Sequence, residues 1–122
     1  MENIQNQFLS KHPYNKYISK NATKLIIGSI PPQRFCKNGE INKKDVRFYY
    51  GSYKNKFWNL IEQVTNEKLD FENTDKAVEQ RKNFLNKYNF GIIDIVKTCI
   101  HKCGLASDKS LDIKEYEKLD KI

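Results

Sequence analysis

The sequence predicts a single α/β domain built on a parallel sheet, and three observations carry that reading. Lys24-Leu-Ile-Ile-Gly-Ser29 and Phe90-Gly-Ile-Ile-Asp-Ile-Val96 are short apolar runs of strand length. Two stretches with helical spacing lie between them. The 122 residues suffice for one hydrophobic core and are too few for two, so residues 1–122 are read as one domain.

The first run stops at Gly28-Ser29, and Pro31-Pro32 follows with residues that cannot extend a ladder. Phe57, Trp58, Ile61 and Val64 recur at helical spacing and predict the first helix. The second is expected from about Asp75 to Tyr88, with Val78, Leu85 and Tyr88 on one side, Asn73 or Thr74 as its cap, and Asn89 or Gly91 at its end. Two strands joined by helical crossovers form a βαβ-type unit, which is parallel and right-handed. Ligands of such sheets bind beyond the carboxyl ends of the strands. Here those ends are Gly28 to Pro31 and the stretch after Asp94. The connection from Ile30 to Lys54 is long enough to be functional or disordered, and its Phe48-Tyr-Tyr-Gly-Ser-Tyr segment is too aromatic for a disordered linker. Ile113, Tyr116 and Leu119 or Ile122 follow at helical spacing behind Ser107, Asp108 or Ser110, and predict the start of a third helix.

Charge is distributed unevenly. Residues 1–56 carry 11 Lys/Arg against 3 Asp/Glu, whereas residues 57–122 carry 11 against 12, so the net charge of +7 resides in the first half. Such a bias suits a polyanionic partner, although a solvated lysine-rich surface accounts for it equally well. The cysteines, Cys36, Cys99 and Cys103, are odd in number, which argues against a disulfide framework and for a reducing, cytoplasmic compartment. No apolar run approaches the roughly 20 residues of a membrane span, and Met1 to Ser10 lacks the pattern of a signal peptide. Cys99-Ile-His-Lys-Cys103 places two thiols and an imidazole close together, but a structural zinc takes four ligands and Cys36 is remote in sequence. No metal or cofactor is expected. His12 reads as a surface or packing residue.

The pattern Leu25-Ile-Ile-Gly-Ser-Ile-Pro-Pro32, followed by Phe48-Tyr-Tyr-Gly51 and Asn55-Lys-Phe-Trp58, resembles the uracil-DNA glycosylase superfamily. It is most similar to the hypoxanthine-DNA (deoxyinosine) glycosylase branch. The resemblance extends from about His12 to Asp108, through Gly91-Ile-Ile-Asp-Ile-Val-Lys-Thr98 and the Gly104 to Asp108 loop. It implies a three-layer α/β/α fold with a parallel sheet, and a monomeric enzyme that flips a deaminated base from DNA and hydrolyses its bond to the sugar. Members of the superfamily continue into further strands, a helix and a Ser/Pro-rich loop that presses into the minor groove. The 122 residues carry no such loop, so the chain is expected to be the N-terminal portion of the domain.

The resemblance also implies roles. Tyr50 matches the aromatic position that stacks on the flipped base. Asp94 matches the strand-end position where a relative's Asn reads uracil. An ionised acid accepts hydrogen bonds but donates none, which argues against a simple uracil preference. Cleavage develops negative charge on the departing base and calls for a positioned water and aimed donors. Ile30 occupies the position where many members use Asp or Asn to orient the water, and Asn55 matches the catalytic polar residue of the hypoxanthine branch. Backbone N–H groups of Gly28, Ser29 and Ile30 are candidates for stabilising the leaving base. Arg34, Lys43, Lys44, Lys54 and Lys56 are candidates for phosphate contact.

Other readings of the same residues stay open. Asn55 is a favoured N-cap residue immediately before an apolar helix. Asp94 could bond a neighbouring loop, Tyr50 could belong to the core, and Phe57 and Trp58 read as core. Two functions follow: a monofunctional glycosylase acting on hypoxanthine or uracil, or a non-catalytic DNA-binding or protein-interaction module derived from the same fold.

Overall fold

The computed structural model describes residues 9–37, 40–101 and 111–118. Within them the order is β1 (Leu9–Lys11), β2 (Lys24–Gly28), a 3₁₀ turn (Gln33–Cys36), α1 (Phe57–Thr65), α2 (Asp75–Lys87), β3 (Phe90–Asp94), β4 (Val96–His101) and β5 (Leu111–Tyr116). The mixture of helices and strands is broadly α/β, as expected. None of these helices is long and apolar enough to cross a membrane.

The anticipated parallel pair is present. Strand β2 runs alongside β3, with Ile26 opposite Ile92 and Gly28 opposite Asp94, so the two strands end together. The remaining strands were not anticipated. They form an antiparallel sheet in the order β1-β4-β5, with Ser10 opposite Cys99 and Ile113 opposite Cys99 from the other side. Strands β3 and β4 are separated only by Ile95, whose N–H donates to the Gly28 carbonyl at 2.8 Å and whose carbonyl accepts from Glu117 N–H at 2.7 Å. Strand β5 therefore begins to pair with the central chain where β2 leaves it. On the opposite edge, Tyr17 and Ile92 exchange both backbone hydrogen bonds.

The expected third helix is a strand. Leu111 and Ile113 alternate as well as they fit a helical period, and a short segment of this kind is decided by what lies beside it. Here β4 offers an open edge that satisfies the backbone of Leu111–Tyr116. Ser107, Asp108 and Gly104 lie outside the described residues.

Both predicted helices form. In α1, Trp58 is buried while Val64 is 72% exposed, so Val64 does not share the inward face expected of it. Asn66 at φ 59° ends the helix and donates its N–H to Glu62 O. In α2, Thr74 is the cap, its Oγ1 accepting from Ala77 N–H at 3.2 Å. Ala77, Arg81, Phe84 and Leu85 form the buried stripe, with Val78 only partly covered. Arg81 stands in this stripe because its guanidinium lies 5.5 Å from the Trp58 ring and 5.0 Å from that of Phe71, while Nη1 donates to Ala77 O. Burial pulls its pKa down to about 10.

The core joins Trp58, Phe84, Leu85 and Ile92 to three residues of the long connection, Val46, Phe48 and Tyr49. Trp58 Nε1 donates to Tyr49 O at 2.7 Å, and Tyr49 OH reaches Asn15 O at 3.1 Å. The aromatic segment is thus a buried wedge between α1 and the chain before β2. This places Tyr50 and the residues after it at the ends of β2 and β3.

Candidate active site at the strand ends

Beyond the carboxyl ends of β2 and β3 lies a cleft of about 330 Å³, lined by Ser29, Ile30, Pro31, Pro32, Tyr50, Gly51, Ser52, Lys54, Asn55 and Asp94. Three distant chain segments meet there. The strand-end turn supplies one wall and the segment before α1 the other, with Asp94 between them.

Gly28 sits beneath this cleft, and its missing side chain sets the geometry. A Cβ at that position would lie 2.5 Å from both Asp94 Oδ1 and Tyr50 Oη. Glycine leaves room for a phenol and a carboxylate to converge on this strand end, and a larger residue would push one or both aside. Tyr50 itself has φ 58°, a left-handed conformation that non-glycine residues seldom adopt. A tight turn holds it there, in which Val46 N–H donates to Gly51 O at 2.8 Å and Gly51 N–H donates to Phe48 O at 3.0 Å. Phe57 packs against the Tyr50 ring at 4.8 Å. Burial, followed by the nearby Asp94 charge, raises the Tyr50 pKa, so the hydroxyl stays protonated and able to donate.

Of the two readings of Asn55, the N-cap one is not realised. The structure makes Lys56, not Asn55, the N-cap residue of α1, without a side-chain cap. Asn55 stands one residue earlier, where its Oδ1 accepts from Phe57 N–H at 2.9 Å in an Asx-type turn that leads into the helix, and it also lines the cleft. A carboxamide oxygen accepts two hydrogen bonds and the nitrogen donates two, so the bond to Phe57 leaves further capacity on a residue that lines the cleft. Lys54 lines the same cleft, whereas Lys56 lies over a separate shallow depression beside Phe57, Asn59 and Leu60. The side chain of Ile30 is buried against Val96 and Cys99, consistent with an apolar residue that orients no water.

Arg34 serves the loop. Its Nε and Nη2 donate to Asp45 Oδ2 and Oδ1 at 3.0 and 3.1 Å, and Nη2 also donates to Ser52 Oγ at 2.9 Å. Fully buried Asp45 accepts further bonds from the N–H groups of Asn42 and Tyr53. This hub shapes residues 42–53 and hence the Tyr50 wall. Desolvation alone would raise the Asp45 pKa, but the bonds from Arg34, Tyr53 and Asn42 outweigh it and hold the carboxyl below its usual 3.8. A depressed folded pKa means that the carboxylate stabilises the fold above the unfolded value and that this contribution is lost as pH falls through the folded one. Acid titration of thermal melting tests this. Asp45→Asn is expected to lower the melting temperature at pH 7, with a loss of about 2 kcal/mol for weakened charged hydrogen bonds. The gap between parent and variant is expected to shrink as the pH is lowered below 3.8. A gap unaffected by acid would refute the assignment.

The opposite wall is pinned by His101, which is fully buried. Its Nε2–H donates to Pro31 O at 3.2 Å and its Nδ1 accepts from Ser10 Oγ at 2.9 Å. Burial lowers its pKa, more strongly than the bond to Pro31 raises it, which favours the neutral ring. With both nitrogens engaged, His101 is a strut between β1, β4 and the strand-end turn. Cys103, the other part of that short motif, lies outside the described residues.

The sequence reading missed one residue here. His12 Nε2 is 2.7 Å from Asp94 Oδ2, and both side chains are largely buried. The only signal was the His12-Pro13 pair, in which proline keeps the preceding residue extended. Nothing in the sequence connected that residue to one 82 positions away. No protein-family model, no curated protein and no solved structure matches this chain.

Proposed function

We propose that this chain is a DNA glycosylase-type module of the uracil-DNA glycosylase superfamily, acting on a flipped deaminated base in DNA. The observation that carries the proposal is the convergence of Tyr50, Asn55 and Asp94 on one cleft beyond the ends of a parallel strand pair. The finer fold reading belongs to the same proposal: β2 and β3 with their helical crossover would be part of a three-layer α/β/α architecture.

In this reading Tyr50 stacks on the base and returns part of the unstacking energy that flipping costs. Asp94 accepts a hydrogen bond from a ring N–H. Hypoxanthine and uracil carry such a hydrogen, whereas adenine N1 and cytosine N3 present lone pairs. A carboxylate acceptor therefore favours each deaminated base over its parent. Asn55 holds the attacking water, and backbone N–H groups of the Gly28 to Ile30 turn face the charge that develops on the leaving base. Lys54 at the cleft rim and Lys56 beside it are placed to meet the phosphates on either side of the flipped nucleotide, while Arg34 shapes the wall. No step requires a metal or cofactor.

The test is base release from labelled oligonucleotides containing hypoxanthine, uracil or xanthine, with abasic sites revealed by alkali. Release of hypoxanthine is expected, and Tyr50→Ala is expected to reduce its rate by about tenfold to a hundredfold, the worth of one aromatic stack on a base. Well-folded protein that releases no base would overturn the enzymatic reading. If it still bound duplex DNA, with log K falling by about 0.9 per phosphate contact per decade of salt, the non-catalytic binding module would take its place.

A further inference from the structure

Asp94 faces two cavities. One is the cleft beside Tyr50 and Asn55; the other, also about 330 Å³, lies behind it and is lined by His12, Tyr14, Asn15, Lys16, Tyr49, Ile93, Asp94 and Glu117. The carboxylate oxygens divide accordingly. Oδ1 is the atom that crowds the Gly28 position next to Tyr50 Oη, and Oδ2 is the atom held by His12 Nε2 at 2.7 Å.

His12 is itself immobilised. Its Nδ1 lies 3.1 Å from the backbone N of Tyr14 and 3.0 Å from its carbonyl O. Its ring packs at 5.3 Å from that of Tyr49 and edge-on to Tyr14 at 5.7 Å. Side-chain exposures of 8% for His12 and 7% for Asp94 leave little water to compete for the bond between them. A carboxylate on a short side chain would otherwise rotate about its last torsion and exchange its two oxygens.

We infer that His12 is a positioning residue, which ties down Asp94 Oδ2 so that Oδ1 alone meets the base edge as a fixed hydrogen-bond acceptor. The inference rests on the glycosylase reading and deepens it, since it makes selection for a ring N–H depend on a residue outside the cleft. Selectivity by a buried acceptor requires that the acceptor have no alternative orientation in which it escapes the penalty of being unpaired.

The experiment compares release of hypoxanthine with release of 1-methylhypoxanthine, in which a methyl group replaces the ring N–H. The ratio of the two kcat/KM values reports the Asp94 contact and not overall activity. In the parent, hypoxanthine is expected to be strongly preferred. His12→Asn keeps a polar group next to Tyr14 but is too short to reach Asp94, and should lower the ratio by about tenfold or more, the worth of one charge-assisted hydrogen bond. His12→Gln places an amide N–H near the Nε2 position and should restore most of it. His12→Phe keeps the ring packing without any donor and serves as the deletion variant if His12→Asn melts early. An active parent whose ratio is unchanged in His12→Asn and His12→Phe would overturn the role of His12 and leave the glycosylase reading intact. Equal loss in the Gln and Asn variants would also overturn it, as a packing effect. A parent that releases no base at all would overturn the glycosylase reading and this inference with it.

Discussion

Asn55→Ser is expected to fold like the parent and to lose base release almost completely. The residue has two duties, closing the turn before α1 through the Phe57 N–H and lining the cleft, and serine separates them. A serine hydroxyl can close the same turn by accepting from the N–H two residues on, so the cost to stability is a few tenths of a kcal/mol, whereas Asn55→Ala loses the bond at about 1 kcal/mol. Neither serine nor alanine carries a carboxamide that can bond the helix and a water together. If Asn55 orients the attacking water, both variants lose release by about a hundredfold or more, within the range of a catalytic polar group, while only the alanine variant melts measurably lower. Single-turnover release measured beside thermal melting and duplex binding decides the point. DNA affinity is expected to be retained by both. Activity that tracked stability, with serine active and alanine impaired, would reduce Asn55 to a turn residue.

Among the described glycines, Gly51→Ala is expected to be the most damaging substitution. A Cβ at that position would overlap the Val46 carbonyl and come within 2.7 Å of Phe48 O, and these are backbone atoms that cannot swing aside. The same turn holds Tyr50 at φ 58° and joins the buried residues Val46, Phe48 and Tyr49 to the core, so relief of the overlap would require the wedge to move. Overpacking of a well-filled site costs up to about 3 kcal/mol, and more when the obstruction is main chain. Against a domain stability of about 5–15 kcal/mol that is a large share. Urea unfolding of the variant should show a lower midpoint, and near-ultraviolet dichroism should report a changed environment for Trp58. A midpoint within error of the parent would mean that residues 46–51 pack differently from the arrangement described above.

Local pattern was informative where chain neighbours determine structure. The apolar runs of β2 and β3, the α2 cap at Thr74 and the two helices all follow from residue spacing that acts over a few positions. The strand ends could be named as the expected cleft edge because ligands of parallel α/β sheets bind beyond the carboxyl ends of the strands. Tyr50, Asn55 and Asp94 were legible only through resemblance, and the structure adds that they line one cleft. Arg34 looked like a surface cation from its sequence, because nothing local reveals that Asp45 turns back to meet it.

By itself, the sequence determined the α/β character, the strand ends as the place where a cleft forms and the basic bias of the first half. Tertiary structure decided the rest. Leu111–Tyr116 became a strand because the open edge of β4 outweighs an ambiguous short-range pattern. Gly28 acquired a role in the site because the ends of two side chains from remote segments approach the space of its missing Cβ. His12 joined the site because β1 and the chain after it run antiparallel to β4 and β3, bringing its ring to the end of β3. Such contacts join residues far apart in the chain, so they are set by which backbone edges and side chains are left to satisfy one another once the local elements have formed.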